Sequence, residues 1–188
     1  MFTIPNALTF ARFLGIPLFI YLALDLKADG WAILVLAIGG ATDYFDGKLA
    51  RALNQESKFG EIADPTIDRL YIAATLAVLY MRDAIPLWLI AILVARDLFM
   101  AGVALVLQLK GYQPLKVTYL GKAATFNLLY AFPFLLLALS DTWYGTAAFI
   151  FGWAFAIWGV TLYIGTAVGY FRTAVKTITV RPRIIEGN

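Results

Sequence analysis

No cysteine and no histidine occur among the 188 residues. The first absence removes disulfides, thiol nucleophiles and thiolate zinc sites. The second removes Ser-His-Asp triads and any imidazole base. A general base must then be Asp, Glu, Lys or Tyr, and a metal must be a hard cation held by oxygen ligands. Charge is scarce too: Asp, Glu, Lys and Arg make up 14% of the chain, against about 25% in a soluble domain. No internal repeat or low-complexity segment is visible. The N-terminus lacks a charged n-region and a small-residue cleavage site, so the first apolar run is expected to be retained as a span.

What is present is mostly oil. Hydrophobic residues account for 62% of the sequence, and the apolar runs recur from end to end. The expectation is an all-α polytopic membrane protein, one domain over residues 1–188, with six transmembrane helices. Spans are expected near residues 7–25, 31–43, 63–80, 85–107, 121–139 and 146–170. Residues 3–12, containing Pro5, Asn6, Thr9 and Arg12, read as a short interfacial segment leading into the first span. Pro17 is a possible kink inside that span, and Pro65 falls in the first turn of the third, where proline is tolerated. Residues 51–59 read as a loop or a continued helix end, and 172–188 as a basic tail outside the membrane.

Six spans put both termini on one side. Lys48, Arg51, Lys58, Lys110, Lys116, Lys122, Arg172, Lys176, Arg181 and Arg183 fall on that side, and Lys27 and Arg82 on the other. The positive-inside rule then makes the first side cytoplasmic in a cell membrane. The net charge of +3 is scattered over loops, which suits anionic lipid head groups and not nucleic acid.

Against this background one stretch stands out. Asp43, Asp46, Asp64 and Asp68 place four carboxylates within 26 residues. Ionisable groups beside a bilayer are costly and usually functional. Asp43 and Asp46 are three apart and Asp64 and Asp68 four apart, so each pair shares a helix face. Two antiparallel neighbouring helices would bring the pairs together. Converging carboxylates repel in a low dielectric, and hard divalent cations relieve that repulsion. Gly47, Ala50 and Gly60 leave room for a base, ribose or pyrophosphate to approach the backbone. Arg51 suits a phosphate or a motif carboxylate. Paired metals would neutralise a phosphate leaving group, and one carboxylate left unsaturated would accept a proton from an attacking hydroxyl.

The pattern D-x2-D-G-x2-A-R-x8-G-x3-D-x3-D is met at Asp43, Asp46, Gly47, Ala50, Arg51, Gly60, Asp64 and Asp68. It resembles the signature of the CDP-alcohol phosphatidyltransferases, whose six-span plan is similar as well. The resemblance covers nearly the whole chain. It implies transfer of a phosphatidyl group from CDP-diacylglycerol to an alcohol with release of CMP, using two Mg2+ or Mn2+ ions. By motif position, Asp43, Asp46, Asp64 and Asp68 are metal ligands, Asp68 is also the base, and Gly47, Ala50, Arg51 and Gly60 line the CDP pocket. A homodimer is implied too.

The acceptor is written elsewhere. Residues 5–12 resemble the start of phosphatidylglycerophosphate synthases, which carry a later G-K-x-K-T-x-x-Q segment. Residues 121–128 read GKAATFNL, lacking the second Lys and the Gln. A dianionic acceptor such as glycerol 3-phosphate should want that extra cation. Phosphatidylglycerol, with one phosphodiester charge, needs less. The runs at 120–127 and 151–159 resemble actinobacterial cardiolipin synthases of the CMP-forming type. Phosphatidylglycerol is therefore the first expectation for the acceptor, and glycerol 3-phosphate the second.

Arg96, Lys116 and Lys122 are the expected acceptor contacts. For Arg96 the bland alternative is an internal ion pair, but adjacent helical residues do not face each other, which argues against pairing with Asp97. For Lys122 and Lys116 it is snorkelling to lipid phosphate. The rival of another class is a cation transporter. Such proteins place carboxylates near mid-bilayer on broken helices and show repeats.

Overall fold

The computed structural model describes residues 4–53, 58–113 and 118–180, with side chains at 4–7, 43–53, 58–65 and 180 outside the description. The described residues form six α-helices and no strand: α1 Ile4–Ile20, α2 Asp29–Leu53, α3 Lys58–Met81, α4 Leu87–Leu109, α5 Tyr119–Leu137 and α6 Trp143–Val180. A π-helical segment, Tyr21–Asp25, extends α1. Among the described residues, four stretches are long and apolar enough to cross a membrane unaided: Leu8–Asp25, Leu87–Leu109, Tyr119–Leu137 and Trp143–Thr179. The shorter apolar stretch Asp29–Thr42 opens α2. Many large apolar side chains, among them Leu98, Ile150 and Trp158, face outward, as lipid-facing helices require.

Several element boundaries differ from the sequence expectation. Residues 4–12 are the first turns of α1, continuous with the span, and Thr9 and Arg12 there are buried. The helix runs through Pro17, and its departure from α geometry comes one turn later, at the π-helical segment. α3 starts at Lys58, so Pro65 lies beyond its first turn. α6 spans 38 residues, about 57 Å at 1.5 Å per residue. That is nearly twice a ~30 Å hydrocarbon core. The segment after Tyr170 is therefore not a loose tail at once but continues the helix to Val180.

The chain divides into two compact units, Met1–Ile85 with Phe132–Ile150, and Pro86–Ala131 with Phe151–Asn188. In the first, α1 packs against both α2 and α3. Arg12 of α1 pairs with Asp68 of α3, and a Cβ built on Gly15 would collide with the Tyr71 hydroxyl. Both contacts join residues 56 apart, so α1 and α3 run parallel. α2 runs the other way. Arg82, just past α3, donates to Asp29 in the first turn of α2 at 2.8 and 3.2 Å, while a Cβ on Gly39 would sit 3.2 Å from the Tyr71 ring carbon Cζ. A left-handed Asp83 (φ 56°) ends α3, with Ala84 donating to the Leu79 carbonyl at 2.8 Å.

In the second unit α4 and α6 run parallel. The Tyr163 hydroxyl donates to Asp97 at 2.5 Å and the Tyr112 hydroxyl to the Ile178 carbonyl at 3.5 Å, both across 66 residues. α5 lies antiparallel to α6: Gly159 packs against Leu128, and the Tyr170 hydroxyl accepts from the Thr118 amide at 2.6 Å. Gly111 (φ +76°) closes α4. Its amide reaches the Gln108 carbonyl, and the Tyr112 amide reaches Leu107, both at 2.9 Å. This is the six-to-one and five-to-two pairing that a left-handed residue after a helix makes possible.

Candidate active site

The four motif aspartates lie on two helices of the first unit. Asp43 and Asp46, with Gly47, Ala50 and Arg51, belong to the C-terminal half of α2. Gly60, Asp64 and Asp68 belong to α3. Of these side chains only that of Asp68 is described. Those of Asp43, Asp46, Gly47, Ala50, Arg51, Gly60 and Asp64 lie outside the described residues.

The backbone register still says how the positions relate. From Asp29 to Gly39 is ten residues along α2, and from their partners Arg82 to Tyr71 is eleven back along α3. The two helices therefore advance nearly one for one in opposite directions. Continued for four to seven residues, the register brings position 43 level with 68 and position 46 level with 64. The spacing also fixes the face. Asp43 and Asp46 follow Gly39 by four and seven residues, and Asp68 and Asp64 precede Tyr71 by three and seven. These are the intervals that return to one side of a helix. Gly39 and Tyr71 face each other, and these intervals put the four acidic positions in helical phase with them. Their donors are carboxylate oxygens only, which fits a hard divalent cation. No group of three or more potential metal-binding side chains occurs among those described, a set that omits three of these four aspartates.

α1 supplies a residue that the sequence reading did not place in the site. The Arg12 side chain is 3% accessible and is paired with Asp68, whose side chain is 44% accessible. A buried cation thus backs a half-open carboxylate. One turn further along, the Tyr71 hydroxyl stands against both Gly15 and Gly39. A Cβ at Gly15 would overlap the hydroxyl and one at Gly39 would lie 3.2 Å from it, so the two glycines give the tyrosine its room among the three helices. Arg12 was visible in the sequence as a cation inside an apolar run, but its partner, 56 residues away, was not.

The expected acceptor contacts fall as follows. Arg96 and Lys122 belong to the second unit, and Lys116 lies outside the described residues. The Arg96 guanidinium sits 3.7 Å from the centre of the Tyr163 ring, with Nε donating to the Tyr163 carbonyl at 3.4 Å. Its Nη1 also pairs with Asp97 at 3.1 Å. The expectation that adjacent residues would not pair is therefore corrected. A guanidinium on a long stem can swing sideways, and Tyr163 gathers both groups from across the helix interface. Lys122 is exposed, its Nζ 5.9 Å from the Tyr119 ring centre.

The sequence profile of the CDP-alcohol phosphatidyltransferases matches residues 2–158. The chain belongs to this family. Its enzymes serve phospholipid biosynthesis, which removes the ground for reading the acidic positions as a transporter's. This phosphatidyltransferase is 51% identical over 173 residues to the CMP-forming cardiolipin synthase of Streptomyces coelicolor, covering 89% of the present chain and 80% of the relative. A Mycobacterium tuberculosis protein provisionally named a cardiolipin synthase is 37% identical over 182 residues, 97% and 87% of the two chains. The CDP-diacylglycerol–glycerol-3-phosphate 3-phosphatidyltransferase of Bacillus subtilis is 33% identical over 151 residues, 73% and 78% of the two chains.

Proposed function

We propose that this phosphatidyltransferase is a cardiolipin synthase, transferring the phosphatidyl group of CDP-diacylglycerol to a hydroxyl of phosphatidylglycerol and releasing CMP. The observation that supports the donor half is the antiparallel α2–α3 register read from the Arg82–Asp29 and Tyr71–Gly39 contacts, which, extended along both helices, would level Asp43 with Asp68 and Asp46 with Asp64. The acceptor half is supported by the higher identity to the Streptomyces coelicolor enzyme than to the glycerol-3-phosphate enzyme. It is also supported by the missing Lys and Gln at 121–128.

Asp43, Asp46, Asp64 and Asp68 would hold Mg2+ or Mn2+, two ions by family resemblance. Bound there, the ions would supply charge neutralisation for the pyrophosphate and its leaving group. Gly47, Ala50 and Gly60 let the CDP moiety approach the backbone, and Arg51 offers its guanidinium to phosphate. Asp68 takes the proton of the acceptor hydroxyl. The hydroxyl oxygen bonds to the phosphatidyl phosphorus, the pyrophosphate P–O bond breaks, and the electron pair leaves with CMP. Arg96, Lys116 and Lys122 contribute positive charge toward the acceptor phosphate. The protein works as a homodimer in the cell membrane with its site toward the cytoplasm, a reading supported by the loop cations and by the family resemblance.

Purified protein given CDP-diacylglycerol and one acceptor at a time, with CMP release as readout, tests the proposal. Release with phosphatidylglycerol is expected. Release with glycerol 3-phosphate alone would replace the acceptor.

A further inference from the structure

We infer that Arg12 is a positioning residue for the transfer reaction, holding the Asp68 carboxylate in its reactive orientation from α1. The inference rests on the reading of Asp68 as the base. Three observations carry it. The first is an asymmetry within the pair. Arg12 is 3% accessible and Asp68 is 44% accessible, so the guanidinium is covered and the carboxylate is open to a substrate. A covered Arg12 bears on a substrate through the carboxylate it holds.

The second is that the anchor belongs to a different helix from the residue it holds. The Arg12 Nη2 donates to Asp68 Oδ1 from α1, which adds a restraint on the carboxylate from outside its own helix. The third is the packing one turn away. The Tyr71 hydroxyl fills the space that side chains at Gly15 and Gly39 would take. Tyr71 thus packs against α1 and α2 one turn from the pair and supports the anchor there.

A displaced catalytic group loses rate more than affinity, since proximity effects fall steeply with distance. Arg12→Gln, Arg12→Lys and Asp68→Asn, assayed together, make the test. The readouts are kcat, KM for CDP-diacylglycerol, equilibrium binding of CDP-diacylglycerol in vesicles, and thermal unfolding in detergent. Arg12→Gln is expected to lower kcat by about 100-fold, with CDP-diacylglycerol KM and binding changed less than about twofold. Arg12→Lys, which keeps the charge without the guanidinium, should recover part of kcat.

Unchanged kcat in Arg12→Gln with an inactive Asp68→Asn would overturn the positioning role and leave the base reading intact. Full activity in Asp68→Asn would overturn the base reading. A loss confined to KM and binding would make Arg12 a substrate contact and overturn the inference. If Arg12→Gln does not fold, the Lys variant carries the test. Failure of both to fold makes the pair a fold element and likewise overturns it.

Discussion

Arg82 grips both carboxylate oxygens of Asp29, at 2.8 and 3.2 Å, and the same guanidinium also donates to the Ala23 carbonyl. One side chain thus ties the π-helical end of α1, the start of α2 and the end of α3. Both partners are largely buried, 15% and 13% accessible. Removing one member of such a pair strands the other charge. Arg82→Ala is expected to destabilise the protein by on the order of 3 kcal/mol, read as a lower unfolding temperature in detergent. The activity remaining per folded molecule should change little, because the tie lies at the opposite end of α3 from the acidic positions.

Gly15→Ala forces a methyl into the Tyr71 hydroxyl. Overpacking of this kind costs about 1–3 kcal/mol. Tyr71→Phe removes the obstructing oxygen, so the double variant should be more stable than Gly15→Ala alone. Gly30→Ala and Gly102→Ala, where an added Cβ meets nothing within 4 Å, are the controls. Equal destabilisation at all three glycines would contradict the packing argument.

The Tyr163 hydroxyl donates to a carboxylate, so Tyr163→Phe should cost about 1.5–3 kcal/mol of stability. The same cluster bears on the acceptor. An acceptor phosphate reaching Arg96 has to compete with Asp97, which already pairs with it. If Arg96 meets the acceptor, Arg96→Ala raises the KM for phosphatidylglycerol while the KM for CDP-diacylglycerol stays put. A loss of stability with both KM values unmoved would leave it as a tie between α4 and α6.

A chain with no cysteine allows the α2–α3 register to be read chemically. Asp46→Cys with Asp64→Cys should be joined by a short bifunctional thiol reagent, as a shift in gel mobility confirmed by mass. Asp46→Cys with Arg69→Cys, five residues further along α3 and turned away by more than a third of a circle, should not. Joining of the second pair and not the first would refute the register.

Chelation gives an independent check on the unsubstituted protein. Stripping divalent ions is expected to abolish CMP release, and Mg2+ or Mn2+ should restore it. Turnover persisting in excess chelator would remove the metals from the reaction.

The spans were legible because apolar runs carry them: 85–107 became Leu87–Leu109 and 121–139 became Tyr119–Leu137. The acidic positions were legible because charge beside a bilayer is rare enough to stand out. What escaped was everything decided between distant helices. Nothing local to Arg12 points to Asp68, and nothing local to Gly15 or Gly39 points to Tyr71. The Arg96 pair escaped for another reason. Spacing rules describe where Cβ atoms point and not how far a flexible stem can bend, and it took Tyr163 from α6 to draw both charges to one place. α6 outran its expected end because helix propensity continues through Arg172 and Lys176, where the hydropathy signal fades.

The shared offset of 56 between α1 and α3 makes the pair of helices a vernier. Arg12 meets Asp68 and Gly15 meets Tyr71 on the same graduation, so both marks are in line or neither is. Slipping α1 by one residue rotates its contacts by about 100° and advances them by about 1.5 Å, which unseats the guanidinium and drives a bulkier neighbour into the tyrosine together. Length changes between residues 12 and 20 should therefore be lethal to the site, while the turn at 26–28 can lengthen without disturbing the alignment. The carboxylate at position 68 is placed by the phase of a whole helix and not by any loop beside it.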